Sequence, residues 1–119
     1  DALLGAACLD DLGTLFPASD DRHKGASSID MLEEVARRLA DSGWSVGNVD
    51  VVVAAETPPL AAHRALMCER IAGALAAAEA PHQPAPFVNL KPKRGEGLGA
   101  VGRSEGIAAW AVCLLVRGE

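Results

Sequence analysis

The C-terminal run Ile107-Ala108-Ala109-Trp110-Ala111-Val112-Cys113-Leu114-Leu115-Val116 is apolar at both alternating positions. Successive side chains of a strand point to opposite faces, so this run predicts a strand buried on both of them. A second strand is expected from Trp44 to Ala55, where Val49-Asp50-Val51-Val52-Val53 lies between Gly47 and the breakers Pro58-Pro59. Phe87-Val88-Asn89-Leu90-Lys91 supplies a third, short strand.

Helical patterns fill the intervals. Ser27 precedes Asp30 by three residues, a capping-box spacing, and Leu32, Val35, Ala36 and Leu39 share one helix face. A helix over 29–41 ending at Gly43 follows. Residues 60–80 read as a second helix, with Leu60, His63, Met67, Ile71, Ala74 and Leu75 facing inward and Arg64, Glu69 and Arg70 facing water. Residues 1–9 read as the tail of a helix that begins upstream, 10–28 as a structured loop, and the proline-rich 81–86 as a connector.

This order predicts an α+β fold, with helices packed on one face of a mixed β-sheet and the first strand or strands missing upstream of Asp1. A three-stranded sheet with such apolar edges needs cover, so its second face is expected to meet another subunit. At 119 residues and 12.3 kDa the chain has room for a single domain, 1–119.

Composition narrows the partners. Aromatics make up only 3% of the chain, which leaves few platforms for stacking bases. A formal charge of −5 repels a phosphate backbone, so nucleic acid is not expected. No apolar run approaches the roughly 20 residues that span a bilayer, so no membrane anchor is expected. Cys8, Cys68 and Cys113 form no C-x-x-C pair and lie in apolar stretches, which fits buried thiols in a reducing cytoplasm.

The segment Lys91-Pro92-Lys93-Arg94-Gly95-Glu96-Gly97-Leu98-Gly99-Ala100-Val101-Gly102-Arg103 gathers four cations and four glycines in an acidic chain. Two readings stand: a flexible hairpin with solvated charges, or a loop that turns backbone N–H groups and cations toward a phosphate or diphosphate. Gly97, Gly99 and Gly102 match G-x-G-x-x-G, but a strand is expected after them rather than the helix that a dinucleotide fold requires. Asp10, Asp11, Asp20 and Asp21 could take a hard cation or a polyhydroxyl ligand, or merely serve turns. His23, His63 and His82 have no metal-binding spacing, and no Cys/His dyad, nucleophile elbow or Walker lysine is present.

Several separated segments together resemble the 2-C-methyl-D-erythritol 2,4-cyclodiphosphate synthases of non-mevalonate isoprenoid biosynthesis. They are Asp1-Ala-Leu-Leu-Gly-Ala-Ala, Asp11-Leu12-Gly13 with Phe16-Pro17-x-Ser19-Asp20 and Lys24-Gly25-Ala26, Gly47-Asn48-Val49-Asp50-Val51, Pro58 and His63, and Gly102-Arg103-x-Glu105-Gly106-Ile107-Ala108. The resemblance implies a cytoplasmic homotrimer with active sites between subunits. It also implies a metal-assisted cyclisation of a cytidine diphosphate substrate with release of CMP, a phosphorus–oxygen lyase reaction using zinc and magnesium or manganese.

Carried over by position, Asp11, Leu12, Gly13, Phe16, Pro17, Ser19 and Asp20 would contact the methylerythritol phosphate. Ala55, Thr57, Pro58 and Leu60 would lie in the neighbouring subunit's cytidine pocket, and Lys93, with Arg94 and Arg103, would supply charge to a phosphate-bearing ligand. Glu96 would hold magnesium on the diphosphate, and Arg103 would lie near the trimer axis. Thr57-Pro58-Pro59-Leu60 stands where the family usually has Ala-Pro-Lys-Met, so the lysine is gone. Lys93-Arg94-Gly95 replaces a threonine run, with Arg94 at a catalytic threonine's place, while Ala18 replaces an aspartate and Ala100 a phenylalanine. The family's zinc ligands would fall upstream of Asp1, so the chain as given is expected to be inactive. The alternative is a catalytically silent trimeric relative that binds a phosphate-bearing ligand; a third is an unrelated small α+β interaction module.

Overall fold

β1, Trp44–Ala54, is the centre of a three-stranded sheet in the computed structural model, which describes residues 1–79 and 83–117. It pairs in parallel with β2, Phe87–Lys93, and antiparallel with β3, Ala108–Arg117, giving the order β2-β1-β3. The mixed sheet with helices on one face is the expected architecture. Gly47 does not bound β1 but sits inside it, where the register against β3 shifts between Val46 and Asn48. An irregularity of this kind is what a glycine within a strand commonly marks.

Among the described residues four α-helices precede the last two strands: α1, Ala2–Ala6; α2, Leu12–Leu15; α3, Ser28–Asp41; and α4, Arg64–Ala76. Ser27 caps α3, its Oγ accepting from the Ile29 N–H at 3.2 Å, and Gly43 follows the helix at φ 79°, the left-handed region that suits glycine. Val35, Ala36 and Leu39 of α3 are buried with Leu32 packed beside them, as their spacing predicts. Leu4, Leu39, Leu75 and Leu90 are the largest fully buried side chains, one each from α1, α3, α4 and β2. Each such burial is worth about 1.5–3 kcal/mol, so the core clamps three helices onto the sheet.

Several expectations change. Residues 10–28 are not simply loop, because Asp11 caps α2 and Asp20 caps a 3₁₀ turn over Asp21–His23. The second long helix is shorter than 60–80, opening through a 3₁₀ turn at Ala61–His63 and stopping at Ala76. His63 is exposed rather than inward, because it lies in that entry turn. Arg64 does not simply face water: its guanidinium donates to the Leu90 carbonyl at 2.7 Å and to Asn89 Oδ1 at 2.6 Å, tying α4 to β2. Part of the 81–86 connector, His82 included, lies outside the described residues.

β3 is not covered on both faces. Trp110, Val112, Leu114 and Val116 are 62%, 68%, 59% and 50% exposed, because the helices cover only the other side of the sheet. Nor are the thiols buried, since Cys8 is exposed while Cys68 and Cys113 are half-buried. Among the described residues no helix is long and apolar enough to cross a membrane.

Candidate functional site

Parallel pairing sets Ala54 opposite Lys93, and antiparallel pairing sets Ala54 opposite Ala108. Both β1 and β2 therefore release their loops at one end of the sheet, the end where open α/β sheets commonly hold ligands. The Ala55 N–H continues the ladder by donating to the Lys93 carbonyl at 3.0 Å, and Ala55 is buried. Glu56, one residue on, reaches across: Oε1 takes Arg94 Nη2 at 2.9 Å and Oε2 takes the Gly95 N–H at 2.9 Å. Thr57 Oγ1 lies 3.2 Å from Ser104 Oγ. Partial desolvation alone would raise the Glu56 carboxyl, but the Gly95 N–H and the Arg94 guanidinium together hold it below the usual carboxylate range.

Between those contacts the glycine-rich segment is a packed loop, not a flexible hairpin. Leu98 N–H donates to the Gly95 carbonyl at 2.9 Å around Glu96 and Gly97, both at positive φ (52° and 75°). A single helical turn, α5, Gly99–Gly102, then brings the chain back. A Cβ on Gly102 would lie 2.5 Å from the Gly97 carbonyl carbon, and one on Gly95 2.5 Å from Gly102 Cα. Gly95 and Gly102 thus serve self-packing, and the G-x-G-x-x-G match has no dinucleotide context.

The cations of 91–103 are largely neutralised. Lys91 pairs with Asp50 at 2.6 Å, Arg94 with Glu56 at 2.9 Å and Arg103 with Glu105 at 2.6 Å. Lys93 makes no ion pair among the described residues, and neither does the exposed Glu96. Sequence reading missed Glu56 as a partner; the available signal was a carboxylate two positions beyond a strand whose parallel neighbour leads into Arg94. Pro58 and Leu60 continue the same loop, Pro58 exposed and Leu60 half-buried.

The second set of expected residues forms its own cluster. Asp11 Oδ1 accepts from the Thr14 N–H at 2.7 Å, which holds its carboxyl low, and the Leu12 N–H donates to Asp1 Oδ1 at 2.9 Å. Asp20 receives both Nε and Nη2 of Arg22, at 3.0 and 2.6 Å, and the Arg22 side chain is the main cause of its fall to about 2. Phe16 stands edge-on to His23 with centroids 5.2 Å apart. These two, with Asp20, Lys24 and Met31, line an open cleft of about 490 Å³. Gly13 and Ser19 are exposed and Pro17 is half-buried. Among the described residues no hydrogen bond or ion pair joins this cluster to loops 55–60 and 93–105.

Among the described residues no three His, Cys, Asp or Glu side chains converge to hold a metal. Asp11 and Asp20 are engaged in capping and ion pairing, so this donor set does not fit zinc.

The YgbB family model matches residues 1–116. The chain belongs to the YgbB family. It is 50% identical over 117 residues to 2-C-methyl-D-erythritol 2,4-cyclodiphosphate synthase of Methylococcus capsulatus, covering 98% of this chain and 70% of that one. It is likewise 50% identical over 117 residues to the bifunctional enzyme IspD/IspF of Anaeromyxobacter dehalogenans, covering 98% of this chain and 29% of that larger protein. Among solved structures, the CDP complex of Plasmodium falciparum IspF superposes with a TM-score of 0.78 at 28% identity, covering 100% of this chain and 67% of that chain. The Methylococcus capsulatus relative carries the name of a synthase, which favours a synthase reading over a silent ligand-binding relative, and the family match leaves no place for an unrelated module.

Proposed function

We propose that residues 1–119 form a single domain of a 2-C-methyl-D-erythritol 2,4-cyclodiphosphate synthase, and that loops 55–60 and 93–105 take the nucleoside diphosphate part of its substrate. The observation carrying this reading is the Glu56 contact with Arg94 and Gly95, which holds the two loops side by side at the strand ends. The CDP-bound relative of the same fold supports it.

In the reaction, an oxygen of the substrate's 2-phosphate attacks the β-phosphorus. A new phosphorus–oxygen bond closes the ring while the bond from that phosphorus to CMP breaks. Charge gathers on the phosphoryl oxygens, so catalysis is chiefly positioning and electrostatics. Lys93 supplies positive charge to the diphosphate, with Arg94 and Arg103 adding theirs when their carboxylate partners yield. Ala55, Thr57, Pro58 and Leu60 border the cytidine, while Asp11, Leu12, Gly13, Phe16, Pro17, Ser19 and Asp20 border the methylerythritol phosphate. Glu96 is the residue that would hold magnesium or manganese together with substrate phosphates, a pattern in which one carboxylate suffices; the ion would offset phosphoryl charge.

The same reading makes the protein a cytoplasmic homotrimer, each exposed face of β3 meeting another copy. It also makes the 119 residues by themselves inactive, since they offer no closed set of zinc ligands among the described residues. Calorimetry with CDP and with CMP tests the binding: tighter CDP binding is expected, and equal or absent heats for both sink it. CMP release above a no-enzyme control would overturn the inactivity.

A further inference from the structure

The segment from Gly95 to Ser104 is closed on itself. Its recorded backbone hydrogen bonds are local, from Leu98 to Gly95, from Gly102 to Leu98, from Arg103 to Gly99 and from Ser104 to Val101. Burial does not anchor its tip, because Leu98 is 76% exposed. Among the described residues its recorded hydrogen-bond ties to the β1 loop are those from Glu56 to Arg94 and Gly95, and from Thr57 to Ser104.

The ties are unequal. Thr57 and Ser104 share one neutral hydroxyl contact at 3.2 Å, whereas Glu56 accepts two hydrogen bonds at 2.9 Å with a carboxylate whose side chain is only 15% exposed. Bonds to a charged acceptor are roughly twice as strong as neutral ones. The Gly95 N–H belongs to the residue just before Glu96, so fixing that amide fixes where the turn carrying Glu96 begins.

We propose that Glu56 is a positioning residue: by holding the Gly95 amide and the Arg94 guanidinium it sets the glycine-rich loop against the β1 loop, and so sets where Glu96 faces. What the loop then recognises rests on the synthase reading; the positioning rests on this geometry. Glu56 also restrains Arg94 from acting as a free anion-binding cation, which gives the pocket selectivity over mere attraction.

Amide hydrogen exchange on the full 119-residue chain tests this directly. In Glu56→Ala, exchange at Gly95 and Leu98 should accelerate at least about tenfold, with Val51 and Leu90 in the sheet unchanged. Glu56→Gln, which keeps one acceptor for the Gly95 N–H, should restore much of the protection. Calorimetry with CDP and pyrophosphate supplies the second readout. Freed Arg94 should strengthen both ligands in Glu56→Ala, while the preference for CDP over pyrophosphate falls about fivefold or more, a change of about 1 kcal/mol.

An unchanged Gly95 amide in Glu56→Ala, or one that loosens only as much as Val51 and Leu90, overturns the proposal. If wild type prefers CDP and Glu56→Ala keeps both that preference and a protected Gly95, positioning fails and the synthase reading survives. If wild type shows no preference while the exchange order holds, positioning stands and the synthase reading fails.

Discussion

Arg94 Nη2 lies 2.9 Å from Glu56 Oε1, so this loop cation is already matched by an acid from the neighbouring loop. Lys93, one residue earlier, makes no ion pair among the described residues. The two cations are therefore not equivalent toward an anionic ligand. Lys93→Thr should weaken pyrophosphate binding about tenfold, the value of one charge-assisted contact, and Arg94→Thr by less than about threefold. Calorimetry of the two variants giving the reverse order would reject this assignment.

Loop packing predicts a steep glycine requirement. A Cβ at position 102 meets the backbone of Gly97, which cannot swing away as a side-chain tip can. Gly102→Ala should lower stability by about 1–3 kcal/mol in urea unfolding, as overpacking does. Gly106→Ala is the control: no heavy atom lies within 4 Å of its Cβ position, and the change should be under about 0.5 kcal/mol.

Strand and helix content was legible because the β-branched run at 49–53 and the 32-35-36-39 face obey their periods and are locally consistent with the fold. β3 was legible as apolar on both faces, but periodicity reports what a strand can bury and not what covers it; within one chain Trp110 and Val112 remain exposed, on the face expected to meet another subunit. Loop charge misled for a related reason. Counting cations over 91–103 left out Asp50 and Glu56, which are distant in sequence but brought alongside by the parallel register. Asp11 and Asp20 were read from sequence either as ligand-binding carboxylates or as turn residues, and the local chemistry they show is capping and ion pairing.

The exposed apolar face gives an assembly prediction. Trp110, Val112 and Leu114 share the helix-free side of β3, and such a patch marks an interaction surface. Analytical ultracentrifugation at micromolar concentration should give three times the chain mass, with Trp110 fluorescence shifted to the blue. Val112→Asp should yield monomer with red-shifted emission. A wild-type chain that sediments as monomer removes the trimer.

Acid should weaken the fold in part through Asp20. Arg22 bonds hold its carboxyl at about 2, below the value near 4 expected for an unfolded chain. The unfolded state thus binds the proton more readily, so the contribution is complete above about pH 4 and is lost as pH falls toward 2. Asp20→Asn should flatten the decline of the urea midpoint across that interval. Equal slopes for variant and wild type would show that the Arg22 pair does not act on stability.

Glu96 gives the sharpest separation of stability from function. It occupies φ 52° without being glycine, and it is exposed with no ion pair among the described residues. A left-handed conformation costs a non-glycine residue about 1 kcal/mol or more, and nothing in its recorded contacts offsets that. Glu96→Gly removes the steric strain but also enlarges the freedom of the unfolded chain, so a net gain of up to about 1 kcal/mol in urea unfolding is expected. The same variant should lose manganese-enhanced binding of CDP while retaining metal-free binding, because only the carboxylate has gone. Glu96→Asn tolerates the left-handed region and should behave likewise in both measurements. If both variants are destabilised and bind CDP with manganese as wild type does, Glu96 holds its unusual backbone for packing and not for a metal.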